Sequence, residues 1–385
     1  MDCNPLRLRA ARVLTAQGWL DNGVVRIAAD GRIAAVGTDA GHDLDLGSWR
    51  LLPALVDSHV HGALGADVMD ADHAALDTMS HHFARHGVGA FAATTVTAPV
   101  ERIEAALIQV RESRARGLSG AELVGSYLEG PYFTAKCCGA HPVPLMRSIA
   151  LDEIARWHAL ADGSLNTVAL AAELPGAASA IGWLRARGVR VLIGHSDASY
   201  DQTRAALQSG AGGIVHCYNG MRGLHHRDPG VVGAGLVSHD AMVELIADGH
   251  HVHPAAIDIA WRAVGPERLV LITDAMRATG MPDGDYRLGE LTVHMQDGVV
   301  RADDGGLAGS TLHLIDAVGN LQRWLGLPLA EAWRLASRNG ARALGRHDLG
   351  DIAPGKTASL TAIDDDGIVQ ATWVGGRQVF ARQTA

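Results

Sequence analysis

The sequence is short of lysine, of basic runs and of long apolar runs, and each shortage excludes a class of protein. Only two lysines occur, Lys136 and Lys356, and the formal net charge is −9. Nucleic-acid binding is therefore not expected, because it needs clustered Lys and Arg. No apolar stretch reaches about 18 uncharged residues, so no membrane span is predicted.

Cysteine is also scarce. The chain has four, and they form neither a Cys-x-x-Cys pair nor a disulfide framework: Cys3, Cys137, Cys138 and Cys217. This usage favours a reducing compartment. The first ten residues contain no apolar signal core. We therefore expect a cytoplasmic protein.

The middle of the chain alternates short apolar runs with helical segments, a pattern typical of parallel strands buried on both faces. Eight runs occur, at residues 51–60, 88–96, 123–128, 167–174, 190–194, 213–217, 242–247 and 269–273. Helical stretches between them include 100–116, 152–160 and 201–209. The pattern predicts an α/β fold with a closed (β/α)₈ TIM-like barrel. An open doubly wound sheet is the alternative, but no G-x-G-x-x-G follows the first run.

Both ends of the chain contain short strand-like segments separated by turn residues. Asn22-Gly23, Asp30-Gly31 and Asp366-Gly367 have the composition of hairpin turns. We expect the two ends to pair into one small β-sandwich domain, made of residues 1–52 and 349–385. The barrel would then span residues 53–348, and the 385 residues suffice for both.

Polar residues follow the apolar runs, at the ends where barrels build their active sites. His59 and His61 close the first run and point the same way, since they are two apart on a strand. Four other runs end at Glu129, His195, His216 and Asp274. Four imidazoles and two carboxylates on one rim predict a site for a divalent metal such as Zn²⁺. Scattered histidines are the alternative, because His-x-His arises by chance in a chain with 20 histidines.

Several motifs resemble a known family. Pro53-x-x-x-Asp57-x-His59-x-His61-Gly62, beside a β domain built from both chain ends, is similar to the amidohydrolase superfamily. Within it, motifs that occur in order along nearly the whole chain resemble the N-acetylglucosamine-6-phosphate deacetylases. They include Leu128-Glu129-Gly130-Pro131, Gly139-Ala140-His141, Gly194-His195-Ser196, His216-Cys217-Tyr218-Asn219, Arg227-Asp228-Pro229-Gly230 and Thr273-Asp274-Ala275.

The resemblance implies a metal-dependent hydrolase that removes the acetyl group from a phosphorylated N-acetyl amino sugar. It implies that Glu129, His195 and His216 hold the catalytic ion, and that Asp274 is the general base and acid. His59 and His61, which some members of the family lack, would add a second metal site.

The resemblance also implies substrate contacts. His141 would lie against the substrate carbonyl or the sugar. Further contacts are implied for Ala140, Asn219, Gly220, His251, Leu307, Ala308 and Gly309. Arg227 would bind the phosphate, and in the family it can reach across from the neighbouring subunit of a homodimer.

The same residues suit amide hydrolysis on chemical grounds. A bound divalent ion lowers the pKa of its water toward about 7 and polarises a carbonyl. A nearby carboxylate can then take the proton and pass it to the leaving amine. Asp274 is placed for this role, although Thr-Asp-Ala also fits a helix N-cap. Arg227 suits a phosphate, but a solvated loop arginine is the alternative, and His225 and His226 are further candidates.

Other activities of the superfamily remain as alternatives. A cyclic-amide hydrolase would need a lysine near the end of the fourth run, and residues 167–174 contain none. A deaminase lacks support from the Glu-Gly-Pro and His-x-x-Asn motifs, and a non-catalytic barrel would show broken metal ligands. The nearest rival substrate is N-acetylgalactosamine-6-phosphate. Cys137 and Cys138 stand where the family has a basic or polar loop, and we expect two inert thiols there.

Overall fold

The computed structural model describes residues 5–38 and 41–383. Cys3 lies outside these residues. The chain opens with five strands that are not part of the barrel: β1 (Leu6–Thr15), β2 (Gly18–Ile27), β3 (Ile33–Gly37), β4 (Leu44–Asp45) and β5 (Arg50–Pro53). The apolar run at 51–60, predicted as one strand, is divided at Ala54 between β5 and the first barrel strand. The chain passes from one sheet to the other at this point.

Among the described residues, eight parallel strands form the predicted barrel, and each overlaps one of the eight apolar runs. They are β6 (Leu55–Val60), β9 (Val88–Thr94), β10 (Glu122–Glu129), β11 (Leu165–Leu170), β12 (Arg190–Ile193), β13 (Gly213–Ile214), β14 (Met242–Ile246) and β15 (Leu269–Ile272), with the short hairpin β7 (Gly62–Ala63) and β8 (Ala66–Asp67) after the first. The barrel closes just beyond β15, where the Asp274 N–H donates to the His59 carbonyl at 3.0 Å. The predicted α/β barrel class is confirmed.

In the part of the chain that the structure describes, ten α-helices cover the barrel and connect its strands: α1 (His73–Arg85), α2 (Val100–Arg116), α3 (Leu151–Ala161), α4 (Ala177–Arg185), α5 (Tyr200–Gln208), α6 (Gly230–Val237), α7 (Pro254–Val264), α8 (Leu314–Leu325), α9 (Leu329–Ala336) and α10 (Arg338–Ala343). Their apolar faces are buried against the strands; Trp157 of α3 and Trp333 of α9 are among the largest fully buried side chains. None of the described helices is long and apolar enough to cross a bilayer.

A small antiparallel sheet lies between β15 and α8, where no strand was predicted. It consists of β16 (Gly284–Leu288), β17 (Leu291–Gln296) and β18 (Val299–Ala302). Asp297-Gly298 turns β17 into β18, and Val293 and Met295 are the buried positions of an alternating strand. Alternation and an Asp-Gly turn are hairpin signals, so this element was visible in the sequence.

The chain ends on β19 (Leu360–Ile363), β20 (Val369–Val374) and β21 (Arg377–Ala381), which join the first five strands as predicted. Hydrogen bonds link all eight into one sheet, because β19 pairs with β5 and β1 lies between β5 and β2. This β domain has its own apolar core, centred on residues such as Leu8, Val25, Leu51 and Trp373. The boundaries proposed after residues 52 and 348 stay a prediction.

Candidate active site

The structure brings the predicted metal ligands together at the carboxyl ends of the barrel strands. His59 lies in β6, His61 follows it, and Glu129 is the last residue of β10. His195, His216 and Asp274 each follow their strands by two residues. All six are at most 8% exposed. Because these residues lie at the same ends of neighbouring parallel strands, their polar side chains meet in one buried site.

Glu129 is the centre of this group, which we call the rim site. Its Oε1 lies 3.1 Å from His216 Nε2, 3.3 Å from His59 Nε2 and 3.5 Å from His195 Nε2. Its Oε2 lies 3.3 Å from His61 Nε2, which is also 3.0 Å from Asp274 Oδ1. One carboxylate thus faces both histidine pairs.

The far nitrogen of each histidine is held by an acceptor. His61 Nδ1 donates to the Thr94 carbonyl at 3.1 Å, and His195 and His216 Nδ1 donate to the carbonyls of Cys137 and Asn219 at 3.0 Å. A proton on Nδ1 leaves a lone pair on Nε2, the arrangement that orients histidine for a metal. The Nε2 atoms of His195 and His216 nevertheless lie 3.1 Å apart. Two lone pairs at that distance repel unless a cation lies between them, so the donor set fits a metal ion.

The surroundings of His59 also fit a metal ion. Its Nδ1 lies 3.2 Å from Glu244 Oε2, while its buried Nε2 has no hydrogen-bond partner within the described residues. Burial lowers the pKa of His61, but Asp274 and Glu129 beside it raise that pKa to about 9. Burial by itself would raise the pKa of Asp274. The hydrogen bond from His61 and the charge of His59 instead lower that pKa to about 2. The carboxylates therefore favour positive charge here, which a divalent cation can supply.

A cavity of about 340 Å³ opens onto these groups. Of the residues with implied substrate contacts, seven line it: Ala140, His141, Asn219, Gly220, His251, Leu307 and Gly309. Two do not. Ala308 is fully buried in the apolar core, and Arg227 is an exposed loop residue outside the cavity. The exposed His225 and His226 do not line it either.

Comparison with known proteins gives a consistent result. Residues 50–379 match the amidohydrolase family. The chain belongs to that family. It is 55% identical over 382 residues to an N-acetylglucosamine-6-phosphate deacetylase of Vibrio furnissii, covering 98% of this chain and 96% of that one. It is 50% identical over 371 residues to an N-acetylgalactosamine-6-phosphate deacetylase of Escherichia coli O157:H7, covering 96% and 98%.

A solved structure is also similar to this amidohydrolase. It is an aspartate-to-alanine variant of the N-acetyl-D-glucosamine-6-phosphate deacetylase of Mycobacterium smegmatis, in complex with N-acetyl-D-glucosamine-6-phosphate. Its TM-score is 0.93 at 37% sequence identity, and the alignment covers 98% of this chain and all of that one.

His141 differs from the other histidines of this amidohydrolase site. Its Nδ1 accepts a hydrogen bond from the Thr97 backbone N–H at 3.2 Å. That nitrogen therefore carries the lone pair, and Nε2 carries the proton in the neutral ring. His141 Nε2 lies 3.6 Å from Glu129 Oε2, facing the cavity. The ring is thus oriented to donate a hydrogen bond from Nε2, although Glu129, His141 and His195 also lie close enough together to share an ion.

Two residues of the site hold unusual backbone conformations. His195 has φ 46° and Asp274 has φ 53°, in the left-handed region that residues other than glycine rarely adopt. Asp274 is held there by two hydrogen bonds, since its N–H donates to His59 and its carbonyl accepts from the Ser310 N–H at 2.7 Å. No described helix begins at Asp274, so the N-cap alternative is wrong. Gly220 lies so near His195 that an added Cβ would come 2.8 Å from Nδ1.

Sequence reasoning missed several residues around the site. Glu244 is fully buried in β14 and accepts a hydrogen bond from Ser58 at 3.1 Å while facing His59. A lone carboxylate in the apolar run Met-Val-Glu-Leu-Ile was the available signal, because a buried charge needs a partner. Leu288, Ala302 and Asp304, in or beside the inserted sheet, also line the cavity. Of the cysteines, Cys138 lines it.

Proposed function

We infer that this amidohydrolase hydrolyses the N-acetyl group of N-acetylglucosamine-6-phosphate, yielding glucosamine-6-phosphate and acetate in amino-sugar breakdown. The observation that carries this is the 55% identity, over nearly the full length of both chains, to a deacetylase of that name. The intact set of six metal-site candidates supports it, because a non-catalytic barrel would have no need to keep them.

We propose that Glu129, His195 and His216 hold the catalytic ion. When bound, that ion would activate water and polarise the substrate carbonyl. Zn²⁺ suits the mixed imidazole and carboxylate donors. His59 and His61 would hold a second ion that shares Glu129, whose two oxygens face both histidine pairs at 3.1–3.5 Å.

Asp274 is proposed as the group that moves protons. Its lowered pKa keeps it ionised at neutral pH, so it can accept a proton from the attacking water. Glu129 is occupied by four histidines, which leaves Asp274 as the carboxylate that also faces the cavity. It would then pass the proton to the sugar nitrogen as the amide bond breaks.

His141 is proposed to bind the acetyl oxygen. Because Thr97 fixes the proton on Nε2, the ring can donate to the carbonyl and to the negative oxygen that develops as water adds. This preorganised donor would stabilise charge that forms only during the reaction.

The phosphate is proposed to be bound by Arg227 from a second copy of the chain. Arg227 is exposed and outside its own cavity, which is consistent with a residue that acts across a dimer. His251 lines the cavity of its own chain, and Asp248 Oδ2 accepts from its Nδ1 at 2.6 Å. That hydrogen bond fixes the ring orientation on the substrate side.

The free cysteines Cys137, Cys138 and Cys217 agree with the proposed cytoplasmic location.

N-acetylgalactosamine-6-phosphate is the second candidate substrate, because a deacetylase of that name is 50% identical over 371 residues. Acetate release should be measured with both 6-phosphates and with both unphosphorylated sugars, on one metal-loaded preparation. We expect the highest kcat/KM for N-acetylglucosamine-6-phosphate. A higher value for the galactose epimer would reassign the substrate, and no acetate from any of the four would refute deacetylation.

A further inference from the structure

A second group of histidines, one buried and two partly buried, lies outside the rim site. His82 is in α1, His86 follows that helix, and His313 directly precedes α8. One ring nitrogen from each can be chosen so that all three lie within 4.8 Å of one another. We call these residues the histidine triad. None of them lines the cavity of the rim site, so deacetylation does not account for them.

Two triad nitrogens are buried without partners. His82 is 5% exposed, and its Nε2 has no hydrogen bond within the described residues. The same holds for His313 Nε2. A buried polar atom without a partner is unfavourable, and such atoms are rare in folded proteins. The arrangement therefore points to a ligand that accepts lone pairs.

The orientation of His313 supports a cation. Its Nδ1 donates to Asp316 Oδ2 at 3.2 Å, which puts the lone pair of the neutral ring on the unpartnered Nε2. A carboxylate behind a histidine is the usual second partner of a metal-binding imidazole. Gly280 leaves room for His82, because a Cβ there would come 2.8 Å from its ring.

His86 and His313 are open to a cavity, and that cavity leaves their rings room to turn. His86 and His313 line a cavity of about 610 Å³, and both are only partly buried. Their rings stack at 3.8 Å with an 18° angle between planes. Parallel rings cannot direct both lone pairs at one ion, so one ring must turn on binding. The cavity provides the space for that rotation.

We propose that His82, His86 and His313 bind one divalent transition ion, of the Zn²⁺, Cu²⁺ and Ni²⁺ class that imidazole prefers. The ion would link the end of α1 to the start of α8. It would stabilise the folded chain by mass action, because the three ligands converge only in that state. The site has no part in the proposed deacetylation.

Zinc content tests this proposal. The full-length protein is equilibrated with Zn²⁺, dialysed against a zinc buffer and assayed for zinc per chain. Wild type should hold one ion more than His86→Gln/His313→Gln. The matched control is His81→Gln, which alters an exposed α1 histidine bonded to Ser119 and should keep the wild-type count. Acetate release should be unchanged in both variants, which separates this site from the rim site.

Equal zinc counts in wild type and the double variant would overturn the proposal. If the double variant does not fold, His86→Gln alone replaces it, because that ring is only partly buried. The dissociation constant of the most weakly bound zinc should then be at least about 10-fold higher in His86→Gln than in wild type. Other metal sites that lose a supporting group weaken by a similar factor. Unchanged zinc affinity in this folded variant would refute the site equally.

Discussion

The rim site and the histidine triad both gather imidazoles, but they differ in the carboxylates beside them, although burial lowers the pKa of His195 to about 4 even at the rim. At the rim, Asp274 and Glu129 outweigh burial and raise the pKa of His61 to about 9. In the triad, burial is the largest cause that lowers the pKa of His86 to about 3, and Asp316 opposes it only in part. We infer that the rim carboxylates, rather than its histidines, equip that site for the proposed proton transfer.

Asp274→Asn should have the largest effect, because it removes the proposed proton acceptor from the rim site. Asparagine keeps the shape and accepts a hydrogen bond, but it cannot take a proton at neutral pH. We expect kcat to fall about 10²–10⁴-fold, the usual contribution of general acid–base catalysis. Metal content should be retained, and His86→Gln/His313→Gln should keep normal kcat. Near-normal kcat in metal-replete Asp274→Asn would remove Asp274 from the mechanism.

Arg227→Ala should next remove the preference for phosphorylated substrate. Losing a charged bidentate contact to phosphate should lower kcat/KM on the order of 10²-fold, and only for the 6-phosphate. Arg262→Ala, an exposed arginine of α7 paired with Asp258, is the control. If the ratio of kcat/KM for the phosphorylated and unphosphorylated sugars stays at its wild-type value, the phosphate binds elsewhere.

His59→Asn/His61→Asn tests whether the rim holds two ions. Both histidines face Glu129, because His59 Nε2 lies 3.3 Å from its Oε1 and His61 Nε2 lies 3.3 Å from its Oε2. The double variant should lose one ion per chain by elemental analysis and keep the ion at Glu129, His195 and His216. The triad zinc should be unaffected, which makes the two losses additive in a combined variant. An unchanged metal count would leave the rim with a single ion.

Glu244→Gln should have the smallest effect. Glu244 faces His59 Nδ1 at 3.2 Å and touches no proposed substrate contact, so it acts by positioning. Loss of such a partner should weaken metal binding about 10–100-fold. A chelator competition titration would measure this, with kcat at saturating metal expected near wild type. A fall in kcat at full metal occupancy would instead give Glu244 a role in the reaction.

Much of the barrel could be predicted because each buried strand lies in a mostly apolar run of the sequence. The rim residues could be predicted because parallel strands bring their carboxyl ends together, whatever the loops do. The left-handed backbone of His195 and Asp274 could not, since it depends on hydrogen bonds between distant strands. The triad could not either, because His313 is 227 residues from His86 and meets it only through helix packing.

Deacetylation at the rim site is proposed to depend on a bound metal ion. The most direct test is acetate release from N-acetylglucosamine-6-phosphate by one preparation, before chelation, after complete metal removal and after Zn²⁺ is restored. We predict that turnover falls by at least about 10²-fold without metal, because neutral water is then the nucleophile, and recovers on reloading. Undiminished turnover by a folded protein shown to be metal-free would contradict the claim.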